Sequence, residues 1–415
     1  MKPTKEDPRT AAELLAGREG KVYTRADRAP AVEAPAVPPV VVPPPVEAPA
    51  VPPVEAPAAV EAPAAVEAPA APAGRWDRVT RWTPPAERPP PPSWLLWDGV
   101  PGSKGARGVL ARGKVALLSA RGGVGKTSAL CGLALALTSG RPWLAVSGAS
   151  ARPGDVPGFG VDPAAQSQLV ALLLCEEDAD EINRRLWGAA TLLGLDPRKD
   201  LAALGLVVAP LAGATVALVT PGEHPAPAVE DLVARLVELA DGREYAAVLL
   251  DPLSRFGGSE AETDNHAATV AITALERLTT LPGRPAVLVA VHERKGGQGV
   301  GQGADAVRGS SALVDGARWV ARMEAVTVPG EHGAKRFRLR AGDTMARFTV
   351  DKSNYAAFPD ERLLAVTADG VRAARADEVA EYREALAERK ERAAERAVER
   401  KASTSKASKA GPGVA

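Results

Sequence analysis

Residues 115–128 constrain the fold more than any other stretch. A strand-like apolar run over 115–119 leads straight into Ala120-Arg121-Gly122-Gly123-Val124-Gly125-Lys126-Thr127-Ser128, and a helix-like run follows over 126–138. Glycines let successive backbone amides converge on one anion. A helix starting near Gly125 points the positive end of its dipole at the same place. In such a loop Lys126 is expected to reach the β- and γ-phosphates of a nucleotide, and Thr127 to ligate Mg2+. The strand, loop and helix in that order are what separate this reading from a chance glycine turn.

The chain around it repeats the same grammar. Further strand-like runs occupy 169–174, 204–208, 246–251 and 286–292, and helical segments occupy 178–193, 227–240 and 267–279. Alternating strands and helices predict an α/β fold: a mostly parallel, twisted sheet covered by helices on both faces. The Gly/Pro-rich stretch 147–165 reads as a loop insertion, and short strands at 336–340 and 347–351 are expected to extend the sheet.

Three of these strands end in residues that chemistry can use. The run 246–251 ends in Asp251, placed for the magnesium side of a phosphate loop, where a carboxylate holds the ion through water. The run 172–178, Leu172-Leu173-Leu174-Cys175-Glu176-Glu177-Asp178, ends in acids. Glu177 is the candidate catalytic carboxylate facing a γ-phosphate. Asp178 and Asp180 fit the alternative of negative charge in a helix's first turn. The third ends in His292, either a structural histidine or a γ-phosphate sensor. Behind it, residues 294–303 begin with Arg294 and Lys295 and turn glycine-rich. This is a candidate single-stranded DNA contact, or a plain surface loop.

The ends of the chain differ in kind. Residues 1–28 are a polar segment. Residues 29–74 are an Ala/Pro/Val/Glu linker in which Val-Glu-Ala-Pro recurs from Val32, Val46, Val54, Val60 and Val66. Proline removes a donor and disfavours helix in the residue before it, so an extended tether is expected, either spacing a partner site or drifting without one. Residues 75–109 form a Trp/Pro-rich arm with Trp76, Trp82, Trp94 and Trp97. It is read as no core element: an arm on a neighbouring surface, or indoles sealing the edge of a core spanning 110–370. Beyond 371, a charged helix over 376–400 carries i,i+3 and i,i+4 pairs. A small, basic, disordered-looking tail follows from Lys401.

Composition adds exclusions. Formal net charge is zero over 415 residues, so any basic surface is local. Cys131 and Cys175 both lie in apolar runs and read as buried thiols of a reducing compartment rather than a disulfide or metal site. No long apolar stretch predicts a membrane span, and the start carries no signal-peptide pattern, so a cytoplasmic location is expected.

The run Ala306-Val307-Arg308-Gly309-Ser310-Ser311-Ala312-Leu313-Val314-Asp315-Gly316-Ala317-Arg318-Trp319 resembles a segment of the RepA-type hexameric replicative helicases of plasmids. The phosphate loop, Glu177-Asp178, Asp251 with Arg255-Phe256, His292 with Lys295-Gly296, and Lys352-Ser353-Asn354-Tyr355 match the same pattern in order, over about residues 95–356. The resemblance implies a RecA-like ATPase core that binds ATP and Mg2+ between the subunits of a hexameric ring on single-stranded DNA. It also implies roles: Lys126 and Thr127 on nucleotide and metal, Glu177 as catalytic carboxylate, Asp251 on the Mg2+ side, and His292 as sensor. Arg318 matches an arginine reaching a neighbour's ATP, with Arg308 and Lys352 as other trans-acting candidates; surface salt bridges are the alternative for each. Ala120 replaces the family's first loop glycine, and Val291 stands where a second histidine is usual. The same core also resembles RadA-type and KaiC-type ATPases, so a nonmotor switch that loads or remodels a DNA-bound partner is the rival to a helicase. A scaffold without turnover is a third reading. The tether and terminal helix are candidate contacts for a replication partner.

Overall fold

The computed structural model describes residues 90–146, 157–219, 227–258, 260–293, 311–329, 335–355 and 358–409, together with Arg81, Glu87, Arg88, Arg152 and Asp155. In chain order the strands begin with β1 (Trp94–Asp98), β2 (Arg107–Ala111), β3 (Val115–Ala120), β4 (Gly160–Val161), β5 (Leu169–Leu174), β6 (Leu206–Pro210), β7 (Tyr245–Asp251) and β8 (Ala286–His292). They continue with β9 (Trp319–Ala325), β10 (Thr327–Val328), β11 (Lys335–Arg336), β12 (Thr344–Ser353), β13 (Arg362–Thr367) and β14 (Gly370–Ala373). The helices are α1 (Lys126–Ser139), α2 (Ala179–Leu192), α3 (Pro227–Ala240), α4 (Leu253–Phe256), α5 (Asn265–Leu278), α6 (Ser311–Gly316) and α7 (Ala376–Lys409).

The main sheet has the order β14-β13-β12-β9-β3-β8-β7-β5-β6. From β9 to β6 every pairing is parallel, and β12, β13 and β14 continue the sheet antiparallel. The fold is therefore the expected mostly parallel α/β sheet with added antiparallel strands. The central strands are apolar end to end because both faces are covered. Side chains alternate between two cores: Ala116, Leu118 and Ala120 join one face with α1 and α2, while Val115 and Leu117 join the other with α3 and α5. Cys131 and Cys175 are buried free thiols, each pushed up to about 12 by burial.

Four expectations need correction. Residues 94–98 are a core strand: Leu95 and Leu96 are fully buried, and β1 pairs with β2 and β4. The proline run stops before Ser93, so it borders the strand without interrupting it. The stretch expected as a loop insertion contributes β4, and Phe159 beside it is buried in an aromatic cluster with Trp143 and Phe348. Helix α7 runs on to Lys409 instead of ending near 400. No glycine or proline occurs before Gly411 to stop it. Its first turns are anchored, with Tyr382 in a third core cluster and Glu378 paired to the buried Arg372 at 2.6 Å. The strand expected at 336–340 shrinks to β11 and an isolated bridge from Arg338 to Thr344. Among the described residues, no helix is long and apolar enough to cross a membrane. The polar segment 1–28, the linker 29–74, and Trp76 and Trp82 lie outside the described residues.

Candidate functional site

The ends of β3, β5, β7 and β8 meet at one edge of the sheet. Parallel register sets this: Ala120 pairs with His292, and Leu174 with Asp251. The loop from Ala120 closes with two residues in left-handed conformation, Gly123 at φ 72° and Gly125 at φ 100°. Only glycine enters that region readily. A Cβ on Gly125 would also lie 2.9 Å from Val371 Cγ2, so the β13–β14 hairpin already occupies that space. Arg121, Gly122 and Gly123 are exposed, while Val124 is buried as the loop's anchor.

Lys126 is 7 % exposed. Its Nζ donates to the Ala120 carbonyl at 2.9 Å and lies 3.3 Å from His292 Nδ1. Burial pulls its pKa below the ordinary lysine value, against the opposing pull of Asp251, Glu176, Glu293 and Glu262. A desolvated ammonium at a helix N-terminus is organised to receive an anion. Thr127 Oγ1 donates to Asp251 Oδ2 at 2.6 Å. Burial raises the Asp251 carboxyl to about 6, with Thr127 and Lys126 pulling the other way. Magnesium is bound by one or two protein oxygens plus phosphates and water. A hydroxyl and a carboxylate already in contact fit that donor set. Among the described residues no cluster of three or more His, Cys, Asp or Glu is arranged as a metal cage.

The two acids after β5 are treated differently by the fold. Glu177 is held: Arg185 Nη2 lies 2.6 Å from its Oε1, and the same guanidinium donates to Ser128 Oγ at 3.0 Å. Glu176 is exposed and forms no ion pair among the described residues. It exerts the larger pull of the two on Lys126, and stands ahead of Glu177 in its effect on Asp251. Asp178 accepts from the Glu181 amide at 2.8 Å and caps α2, the alternative weighed for it from sequence. Glu176 and Arg185 are therefore the residues that reading the sequence missed. The available signal was an arginine eight residues after a strand-end acid, on the helix that packs against α1.

Glu293, next to His292, was missed as well. It is buried with its Oε1 lacking a partner, and Arg121 Nε stands 3.7 Å from Oε2. Burial raises its pKa.

Arg318 and Lys352 lie elsewhere. The Arg318 amide donates to the Val115 carbonyl at 2.9 Å, so this arginine sits where β3 begins, whereas the phosphate loop sits where β3 ends. The separation is a strand's length, roughly 17 Å at about 3.3 Å per residue. Arg318 is exposed, and Trp319 beside it is buried against Phe348. Lys352 is close by, since its Cα partner is Val320. Its Nζ donates to the Val314 and Asp315 carbonyls at 2.6 and 3.0 Å, the C-terminal end of α6. Within one chain it caps this helix as a cation. Arg294, Lys295 and Arg308 fall outside the described residues.

A family model for the AAA domain matches residues 80–298. The match takes in β1, the phosphate loop, Glu176, Glu177, Asp251 and His292, and ends before Arg318 and Lys352. With more than half of its length matched, the chain belongs to the AAA domain family and is a nucleotide-binding ATPase of the P-loop class.

Proposed function

We propose that the chain is a ring-forming, ATP-driven motor of the RepA helicase type, acting on single-stranded DNA. The observation that carries this reading is the position of Arg318. It is exposed where β3 and β9 begin, at the opposite end of these strands from its own phosphate loop, so any nucleotide it serves belongs to another copy. A head-to-tail contact of that kind closes into a ring when its rotation permits.

Within one site the roles follow position. The amides from Arg121 to Thr127 and the Lys126 ammonium bind the phosphates, with Ser128 fixed by Arg185. Thr127 and Asp251 would hold Mg2+, which would supply positive charge to neutralise that developing on the phosphates. A carboxylate after β5 orients water. Glu176 is favoured over Glu177, because Glu177 must first leave Arg185. His292, in contact with Lys126, is placed to register whether the γ-phosphate is present. Arg318 completes the neighbour's site, and Arg294 and Lys295 are the DNA contacts.

One observation favours the nonmotor switch. Helix α7 leaves the core after Leu386 and is exposed over 387–396, a long arm suited to a partner protein. Both readings are tested by mixing Arg318→Ala with Glu176→Gln subunits. Each pure protein should be inactive, and mixtures should regain turnover at interfaces that join two intact residues. No recovery in mixed assemblies would overturn action in trans. DNA-stimulated turnover with fork unwinding marks the motor; stimulation without unwinding marks the switch.

A further inference from the structure

Arg336 reaches the phosphate loop from a distant part of the chain. Its Nη1 donates to the Gly123 carbonyl at 3.0 Å, and its Nη2 to Thr344 Oγ1 at 2.8 Å. Phe337 and Leu339 turn into a core, so Arg336 and Arg338 share the opposite face of the segment. Neither forms an ion pair among the described residues. Two guanidiniums on one face without a carboxylate repel each other.

The topology says which part of a nucleotide they would meet. The residues for metal and γ-phosphate, Asp251, Glu176 and His292, come from β7, β5 and β8, all on one side of β3. Thr344, and the Val366 and Val371 side chains that crowd Gly125, come from β12 to β14, beyond β9 on the other side, and Arg336, on the separate β10–β11 ribbon, is tied to that side by its bond to Thr344. A nucleotide with its γ-phosphate among the first group points its base at the second. We infer that Arg336 forms the base subsite in cis, its planar guanidinium stacking on the purine beside the apolar β13–β14 hairpin. Arginine suits this role, since its flat, delocalised cation stacks on aromatic faces where an ammonium does not.

This inference rests on the nucleotide-binding reading, and the test separates the two. Binding of ATP, ADP and inorganic tripolyphosphate, each with Mg2+, is measured by calorimetry on the full chain and its variants. Arg336→Ala should weaken ATP and ADP by about tenfold and leave tripolyphosphate unchanged. Arg336→Lys, which keeps the charge and a donor for Gly123, should behave like Arg336→Ala. Equal loss of tripolyphosphate would mean a phosphate contact or a distorted loop and would overturn the proposal. So would wild-type affinity in either variant. If the unaltered chain binds none of the three, the nucleotide reading itself falls.

Discussion

Replacing Asp251 by Asn should stabilise the nucleotide-free protein while disabling it. The side chain ends a buried strand at 4 % exposure, and burial lifts its carboxyl from 3.8 to about 6. That value already includes the attraction of Lys126 and the hydrogen bond from Thr127. About two pKa units at about 1.36 kcal/mol each amount to about 3 kcal/mol. The folded pKa exceeds the unfolded one, so the folded state holds the proton more tightly. Below about pH 4 the carboxyl is protonated in both states and nothing is lost. As pH rises through 6 the folded state must carry a buried charge, and stability falls. Asn cannot ionise and keeps an acceptor for Thr127. At pH 8, without nucleotide or divalent ion, Asp251→Asn should be more stable by up to about 3 kcal/mol, on the order of 5–10 °C in Tm. The difference should vanish near pH 4. Adding ATP and Mg2+ should reverse the order, because ligand stabilises only the protein that binds it. Urea and thermal unfolding across pH measure all of this. A variant less stable than wild type at pH 8, or a gap that does not change with pH, would refute the reasoning.

Two further outcomes follow from the site. Glu176→Gln should lower turnover about 100- to 10,000-fold with nucleotide affinity retained, whereas Glu177→Gln, which loses the Arg185 contact, should lower it far less; steady-state rates in the reverse order would return the catalytic role to Glu177. Lys352→Met removes both bonds to the end of α6 and should reduce stability by about 1 kcal/mol in denaturant titration. Unchanged stability with lost turnover would make Lys352 a trans-acting cation instead.

What the sequence disclosed and what it hid have physical causes. The strands β3, β5, β7 and β8 were legible because parallel strands covered on both faces are unbroken apolar runs, and their terminal Asp251 and His292 stand out against them. The phosphate loop was legible because positive φ at Gly123 and Gly125 demands glycine. Strand β1 was hidden because its identity lies in its partners: Leu96 pairs with Leu110 on one side and Val161 on the other, far apart in sequence. The partition between Glu176 and Glu177 was hidden because two adjacent acids look alike until Arg185 selects one. Arg336 was hidden most deeply, since its bond to Gly123 spans 213 positions. Periodicity reports which face a residue takes, not which distant carbonyl its guanidinium finds.

The described residues on either side of 294–310 join these observations. The segment leaves the described chain after Glu293, beside the Lys126–His292 contact of one nucleotide site. It returns at α6, whose end is held by Lys352 and followed directly by Arg318 at the opposite end of the strands. Between these ends stand β3, β8 and β9, fully paired strands buried in a close-packed core. Packed cores of this kind shift as units rather than deform. In the proposed ring, one end of the segment therefore answers to the chain's own nucleotide through His292. The other end answers to the neighbour's nucleotide through Arg318 and α6. Arg294 and Lys295 follow Glu293 directly in sequence. In the proposed ring, described elements tied at one end to the chain's own nucleotide and at the other to the neighbour's link the two sites, a coupling that a translocating motor requires and a scaffold without turnover does not.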